Sequence, residues 1–281
     1  KGWTRGQLVD ALLKYKPKSL KAHRDMDEVY DRWLELMLKT KTPLLEKLTL
    51  FWHDYFATAN ATVQDAEWMA RQNTLLRQMS KGNFKEFLKR INKDPAMMDF
   101  LDTLRNRKRT PNENYARELL ELFTLGVEDE TGMPNYEQED IVQIARAFTG
   151  WRLDDKDNAV FRDGSHDYNE EYPERGPKII FKTRGGFGPG GLDLATPGEG
   201  PFEIDYAIEA ILAHRDSQGQ STVGRRITRR LFEFFASADA STALVDELLA
   251  ASGFASTWDV ANLVKTILVH DAFYATAVPP P

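Results

Sequence analysis

Apolar residues recur at a helical period along most of the chain. In "EVYDRWLELMLK", Tyr30, Trp33, Leu34 and Met37 share one face; in "LLEKLTLFWHDYFATA", Leu45, Leu48, Trp52, Tyr55, Phe56 and Ala59 do the same. "DAEWMARQNTLLRQMSKG" predicts a helix stopped at Gly82, and "DPAMMDFLDTLRN" one with Pro95 in its first turn. "NYEQEDIVQIARAFTGW" starts with Asn135 three residues before Gln138, a capping spacing, and ends at Gly150. From Trp151 to about Pro201 the texture changes to Asp, Gly and Pro, with short strand candidates in "NAVF" and "KIIF". Helical patterning then resumes through "FEIDYAIEAILAH", "STVGRRITRRLFEFFA", "STALVDELLAAS" and "STWDVANLVKTILVHDAFY". The prediction is an all-α, multi-helix orthogonal bundle with one irregular insert holding a small β-hairpin. It reads as a single helical domain fragment over 1–281: helical at 1–150, irregular at 151–201 and helical again at 202–276.

Composition narrows the chemistry. With 43 acids against 37 bases the net charge is -6, which disfavours non-specific attraction to nucleic acid or anionic lipid. There is no cysteine, so thiol catalysis, thiolate metal sites and disulfides are excluded. No apolar run is long enough to span a membrane. The chain starts at Lys1 and stops at "AVPPP", which reads as a piece of a longer protein. No nucleophile-elbow, zincin, P-loop or kinase motif is present.

The stretch "RTPNENYARELLELFTLG" crowds polar groups onto a helix. Thr110, Pro111 and Glu113 fit a capping box, with Thr110 as N-cap. Tyr115, Leu119, Leu122 and Phe123 form a core face, and Arg117 can pair with Glu113 and Glu121 on either side. Glu118, with Asn114 one turn earlier, falls at the edge of that face, where a buried strut is a commoner reading than a ligand. A cation is expected near it, and one of Arg225, Arg226, Arg229 and Arg230 in "GRRITRRLFEFF" is a natural candidate.

His53 sits at the margin of an aromatic helix, where a packed core histidine is the commoner outcome. "FRDGSHDYNEEYPE" puts His166 and Asp167 in an acidic loop. Such loops carry function disproportionately; oxygen ligands there suit Ca²⁺, and histidine with carboxylate suits Zn²⁺ or Fe²⁺. A solvated loop is an equal reading, and calcium-loop spacing fails. "GFGPGG" matches a dinucleotide glycine pattern but leads into "LDLATPGEGP" rather than a helix, so it reads as a flexible loop.

Taken in order, "LTLFWHDYFAT", "NENYARELLELFTLGV", "YEQEDIVQIARAFTGW", "HDYNE" before a lysine-bearing strand, "RRITRRLFEFF" and "DAFY" resemble the bacterial Domain of Unknown Function family 1800. The resemblance covers about residues 40 to 276. Its motif positions here are His53, Asn112, Glu113, Asn114, Arg117, Glu118, Gly150, Trp151, His166, Asp167 and Lys178. Tyr55 stands where members often have a second histidine, which puts a two-histidine metal site in doubt. The acidic "VEDETGMP" looks like a loop insertion, and the family's C-terminal part, past "DAFY", is expected beyond this chain. The resemblance implies an exported bacterial protein of no established activity, whose genes neighbour those of a family resembling phosphatases and sulfatases.

These readings converge on a polar pocket built from His53, Asn114, Glu118, His166 and Asp167. Catalytic candidates are Glu118, His53, His166 and Asp167; binding candidates are Asn112, Asn114, Arg117 and Lys178. Hydrolysis with Glu118 or Asp167 as base is one expectation. The rival is a non-catalytic module for an exported phosphatase/sulfatase-like partner or a glycan. The sequence specifies no cofactor and no metal.

Overall fold

The computed structural model describes Thr4, Gln7 and residues 25–168, 176–194 and 199–275. Its elements run α1 (Met26–Lys39), α2 (Pro43–Tyr55), α3 (Asn60–Val63), α4 (Ala66–Met79), α5 (Phe84–Ile91), α6 (Pro95–Phe100) and α7 (Asn114–Glu118). There follow α8 (Gln138–Ala147), β1 (Trp151–Leu153), β2 (Ala159–Phe161), β3 (Ile179–Ile180) and β4 (Leu192–Asp193). The chain closes with α9 (Glu203–Ala213), α10 (Thr222–Phe235), α11 (Thr242–Ser252), α12 (Phe254–Thr257), α13 (Val260–Val269) and α14 (Asp271–Ala275). The fold is mostly α, as the patterning predicts. The strands form two antiparallel pairs, with Trp151 opposite Phe161 in one and Ile179 opposite Asp193 in the other.

The chain divides into two compact units. The first comprises residues 1–60, 64–87 and 224–281. Its α1 buries Val29 and Trp33 against Ala70, but Tyr30 and Leu34 are more than half exposed, so the buried stripe is narrower than the sequence suggests. Pro43 starts α2 at a position where its missing N–H costs nothing. Trp52 on that helix packs among Phe56, Phe84 and Phe87 and donates its indole N–H to the Ser80 carbonyl at 2.8 Å. Below it, Arg77 grips both oxygens of Glu46, at 2.9 and 3.0 Å, with both residues buried. Arg225 pairs in the same bidentate way with Asp246, at 2.6 and 2.7 Å, and Arg229 donates to the Ala240 carbonyl.

The second unit comprises residues 61–63 and 88–223. The capping box expected at Thr110 does not form: α7 begins only at Asn114, with no side-chain cap on its first turn. Asn112 acts in its place, accepting the Asn114 N–H at 2.9 Å, while Asn106 accepts that of Asn112. A short asparagine carbonyl turns the chain here, so Thr110 is left outside the helix.

After Glu118 the helix widens into a π turn over Leu119–Thr124, marked by the 2.9 Å bond from Leu125 N–H to the Leu120 carbonyl, five residues back. The wider turn rotates Leu122 outward to 50% exposure, while Leu119, Leu120 and Phe123 stay buried. Leu122 therefore leaves the expected core face.

Asn135 does not cap α8 either. Glu137 is the N-cap, in a reciprocal box with Asp140, and the buried Asn135 amide instead donates to the Leu125 and Gly126 carbonyls. Asp140 also accepts the Phe181 N–H, tying α8 to β3.

Candidate functional site

α8 carries Ile141, Ile144, Ala145 and Phe148 into the core, and with them Gln143 and the fully buried Arg146. A buried guanidinium requires a carboxylate and further acceptors. Asp167 supplies the carboxylate, at 2.9 Å to Nε and 3.3 Å to Nη2; Gln143 and the Gly176 carbonyl add bonds at 2.7 and 3.0 Å.

The chain turns at Thr149 and Gly150 so that His166 and Asp167 return beside this helix end. The Thr149 hydroxyl donates to the Arg146 carbonyl and accepts the Asp167 N–H at 2.9 Å. Gly150 has a φ of +92°, and a Cβ there would lie 2.9 Å from Phe161 and 3.1 Å from His166. Only glycine fits the turn that brings these side chains together.

His166 Nδ1 lies 2.8 Å from the Thr149 carbonyl, and Nε2 lies 3.2 Å from Glu203 Oε2. That second approach is off hydrogen-bond alignment. Lys178 Nζ lies 3.0 and 2.9 Å from the two Glu203 oxygens. None of His166, Asp167, Lys178 and Glu203 is more than 2% exposed. Burial pulls the Lys178 ammonium below the usual lysine range, and the Glu203 carboxylate opposes that pull. The arrangement pairs Arg146 with Asp167 and Lys178 with Glu203 out of contact with solvent, while His166 Nε2 and Glu203 Oε2 have no hydrogen-bond partner among the described residues. It can hold the insert against α8 and α9; it offers no open face to a reacting group.

The other candidates have surroundings of their own. Asn112, Asn114 and Arg117 make their hydrogen bonds elsewhere, to Asn106, Asp102, Glu113 and Gln138. Asn114 reaches toward Asp102 at 3.4 Å. Arg117 bridges Glu113 and Glu121, at 3.0 and 3.5 Å, as its spacing predicts, and also meets Gln138.

Glu118 has no hydrogen-bond or salt-bridge partner among the described residues and is half-buried. Burial raises its carboxyl above the usual range, Glu121 adds to this and Arg117 opposes it. His53 belongs to the first unit, where its ring meets Trp33 edge-on at 4.8 Å. Burial lowers that imidazole, and its Nδ1 is buried without a hydrogen-bond partner among the described residues.

A family model described as "Protein of unknown function (DUF1800)" matches residues 5–280. The chain belongs to this family. No curated protein and no solved structure gives a match. Of the positions that carry the DUF1800 resemblance, His166, Asp167, Lys178 and Gly150 meet in one network. Its remaining members, Arg146, Thr149, Gln143 and Glu203, were not singled out from the sequence. Arg146 was the most findable of these: a cation within the apolar "IVQIARAF" signals a buried partner.

The DUF1800 chain also has an open cleft in its second unit, of about 180 Å³. Three loops form it: 129–135 from the acidic insertion, 183–186 from the glycine-rich stretch, and 214–217 after α9. His214 forms part of its lining, with Nε2 2.7 Å from the Asn135 carbonyl and Nδ1 2.8 Å from the Thr222 hydroxyl. Burial pulls that imidazole down to about 4, against opposing contributions from the Asn135 carbonyl, Asp216 and Asp129. Among the described residues, no helix is long and apolar enough to cross a membrane, and no group of three or more His, Asp or Glu residues could hold a metal ion.

Proposed function

We propose that this chain is a binding module of an exported bacterial protein, with His166, Asp167 and Lys178 as internal struts. The observation that carries this reading is the closure of the Arg146–Asp167 and His166–Glu203–Lys178 contacts, each buried to 2% exposure or less. A general base must come within hydrogen-bond reach of its substrate. These groups are already within reach of one another, and water is excluded. Recognition then falls to exposed surface, with a glycan or a phosphatase/sulfatase-like exported protein as the partner.

One observation favours a second, hydrolytic reading. Glu118 is half-buried and unpartnered among the described residues, and its carboxyl holds its proton to a higher pH than usual, as a general acid requires. A panel of chromogenic esters, phosphomonoesters, sulfate esters and glycosides, with and without added divalent metals, separates the two. The module reading expects no turnover above buffer. Turnover that disappears in Glu118→Gln would replace it with the hydrolytic one.

A further inference from the structure

The cleft at 129–135, 183–186 and 214–217 brings the acidic insertion together with the residues that lead into "GFGPGG". Its charges are balanced. Arg184 is held by Glu137, at 3.0 Å, and Asp129 and Asp216 stand on the lining. Burial alone would raise the Asp129 carboxyl, but hydrogen bonds from Ser217 and Thr131 outweigh it and hold it far below the usual range. Asp216 Oδ1 accepts the Gln218 and Gln220 N–H groups, at 2.9 and 2.8 Å. With two arginines facing two aspartates, and Glu137 already on one arginine, the wall has no positive excess to draw an oxyanion.

It does have unused donors. The exposed Arg215 guanidinium makes no hydrogen bond or ion pair among the described residues. The backbone N–H groups of Arg184, Gly185 and Gly186 likewise donate to no acceptor there. Gly185 and Gly186 have φ of +74° and +80°, and a Cβ on Gly185 would lie 2.6 Å from the His214 ring. The bare backbone therefore passes directly over the imidazole, with the Phe187 ring 2.7 Å from where a Cβ would stand. His214 is fully used by Asn135 and Thr222 and acts as wall rather than base. Met133 and Pro134 give the lining an apolar part. Donors beside carboxylate oxygens, balanced charge and an apolar strip match a ligand whose groups both donate and accept and whose ring carries C–H faces.

We infer that this cleft binds a neutral polyhydroxylated ring, a single sugar unit of a glycan, with Arg215 and the 184–186 backbone as its hydrogen-bond donors. The volume suits it: at about 30 Å³ per water, the cleft holds about six waters, the space of one sugar ring. This rests on the binding-module reading and names the ligand class for it.

The test is a titration of the ¹⁵N-labelled chain with D-glucose, D-galactose, D-mannose and N-acetyl-D-glucosamine at millimolar concentrations, and separately with inorganic phosphate. The expected result is that at least one sugar shifts the amides of Gly185, Gly186 and Ser217. Arg215→Met should weaken that binding about tenfold, the effect of losing a charged hydrogen bond. Arg215 has no partner to lose, so the variant should keep the parent spectrum elsewhere. Absence of shifts with all four sugars overturns the inference and leaves the module reading in place. Phosphate shifting these amides where sugars do not overturns it in favour of an oxyanion site. Binding that survives unchanged in Arg215→Met also overturns it. Turnover of glycosides, in contrast, would sink the non-catalytic reading and leave the cleft assignment standing.

Discussion

His166 Nε2 sits 3.2 Å from Oε2 of Glu203, with both residues at most 2% exposed. Because Nδ1 faces the Thr149 carbonyl, which can only accept, geometry assigns the ring hydrogen to Nδ1. Nε2 and a carboxylate oxygen then face each other, and the Lys178 ammonium, 3.0 and 2.9 Å from the two Glu203 oxygens, compensates the buried carboxylate.

That geometry ranks substitutions at Glu203. Glu203→Leu leaves Lys178 buried without its carboxylate and should cost about 3–5 kcal/mol. Glu203→Gln can still accept from Lys178 and donate to Nε2, so it should cost less than half as much. Urea unfolding midpoints of the two variants check the order; equal losses would mean that the Lys178–Glu203 hydrogen bond does not decide the cost.

Gly150→Ala should be among the most damaging single-methyl changes in the chain. Its backbone φ of +92° is strained for alanine, and the new Cβ would press on Phe161 and His166. A loss of about 2–3 kcal/mol is expected from strain and overpacking together, read as a lower thermal midpoint.

Acid should destabilise the second unit through His214. Its folded value of about 4 lies below the ordinary 6.5, so the unfolded chain binds the extra proton between those limits. Stability is full above about pH 6.5 and falls as pH drops toward 4, by on the order of 3 kcal/mol. Urea midpoints at pH 7 and pH 5 should differ in the parent and differ less in His214→Asn. An identical pH response in both would assign the acid sensitivity elsewhere.

Glu118→Gln should leave stability unchanged or slightly raised at pH 7. The raised carboxyl value means that the ionised form is disfavoured by folding, a penalty present above the unfolded value and absent below it. Calorimetry of the variant at pH 7 and pH 4 reads this directly. A large loss at pH 7 would restore Glu118 as a strut.

The helical architecture was legible because apolar spacing reports directly on burial, as with Trp52 and Phe56 in "LLEKLTLFWHDYFATA". The insert's strands at "NAVF" and "KIIF" were legible as short apolar runs set among Asp, Gly and Pro, whereas their partners at Trp151–Leu153 and Leu192–Asp193 were not. The starts of α7 and α8 were not, although Pro95 does open α6 as its position predicts. Thr110 and Asn135 have good capping chemistry, but Asn112 and the Glu137–Asp140 box compete for the same N–H groups, and spacing does not say which wins. The π turn that exposes Leu122 has no periodic signature, because one wide turn shifts the register of everything after it. His166, Asp167 and Lys178 stood out as chemistry-bearing residues, yet Glu203 and Arg146, which decide what they do, lie far away in sequence. Pairing across such distances is set by tertiary packing.

The most direct test of the strut account is paired unfolding and metal analysis of Asp167→Asn in the full chain. Its carboxylate meets Arg146 at 2.9 and 3.3 Å, out of contact with water. The account predicts a loss of about 3–5 kcal/mol, with metal content by mass spectrometry the same as in the parent. A variant that folds with parental stability but loses a stoichiometric metal would contradict it and make this network a site.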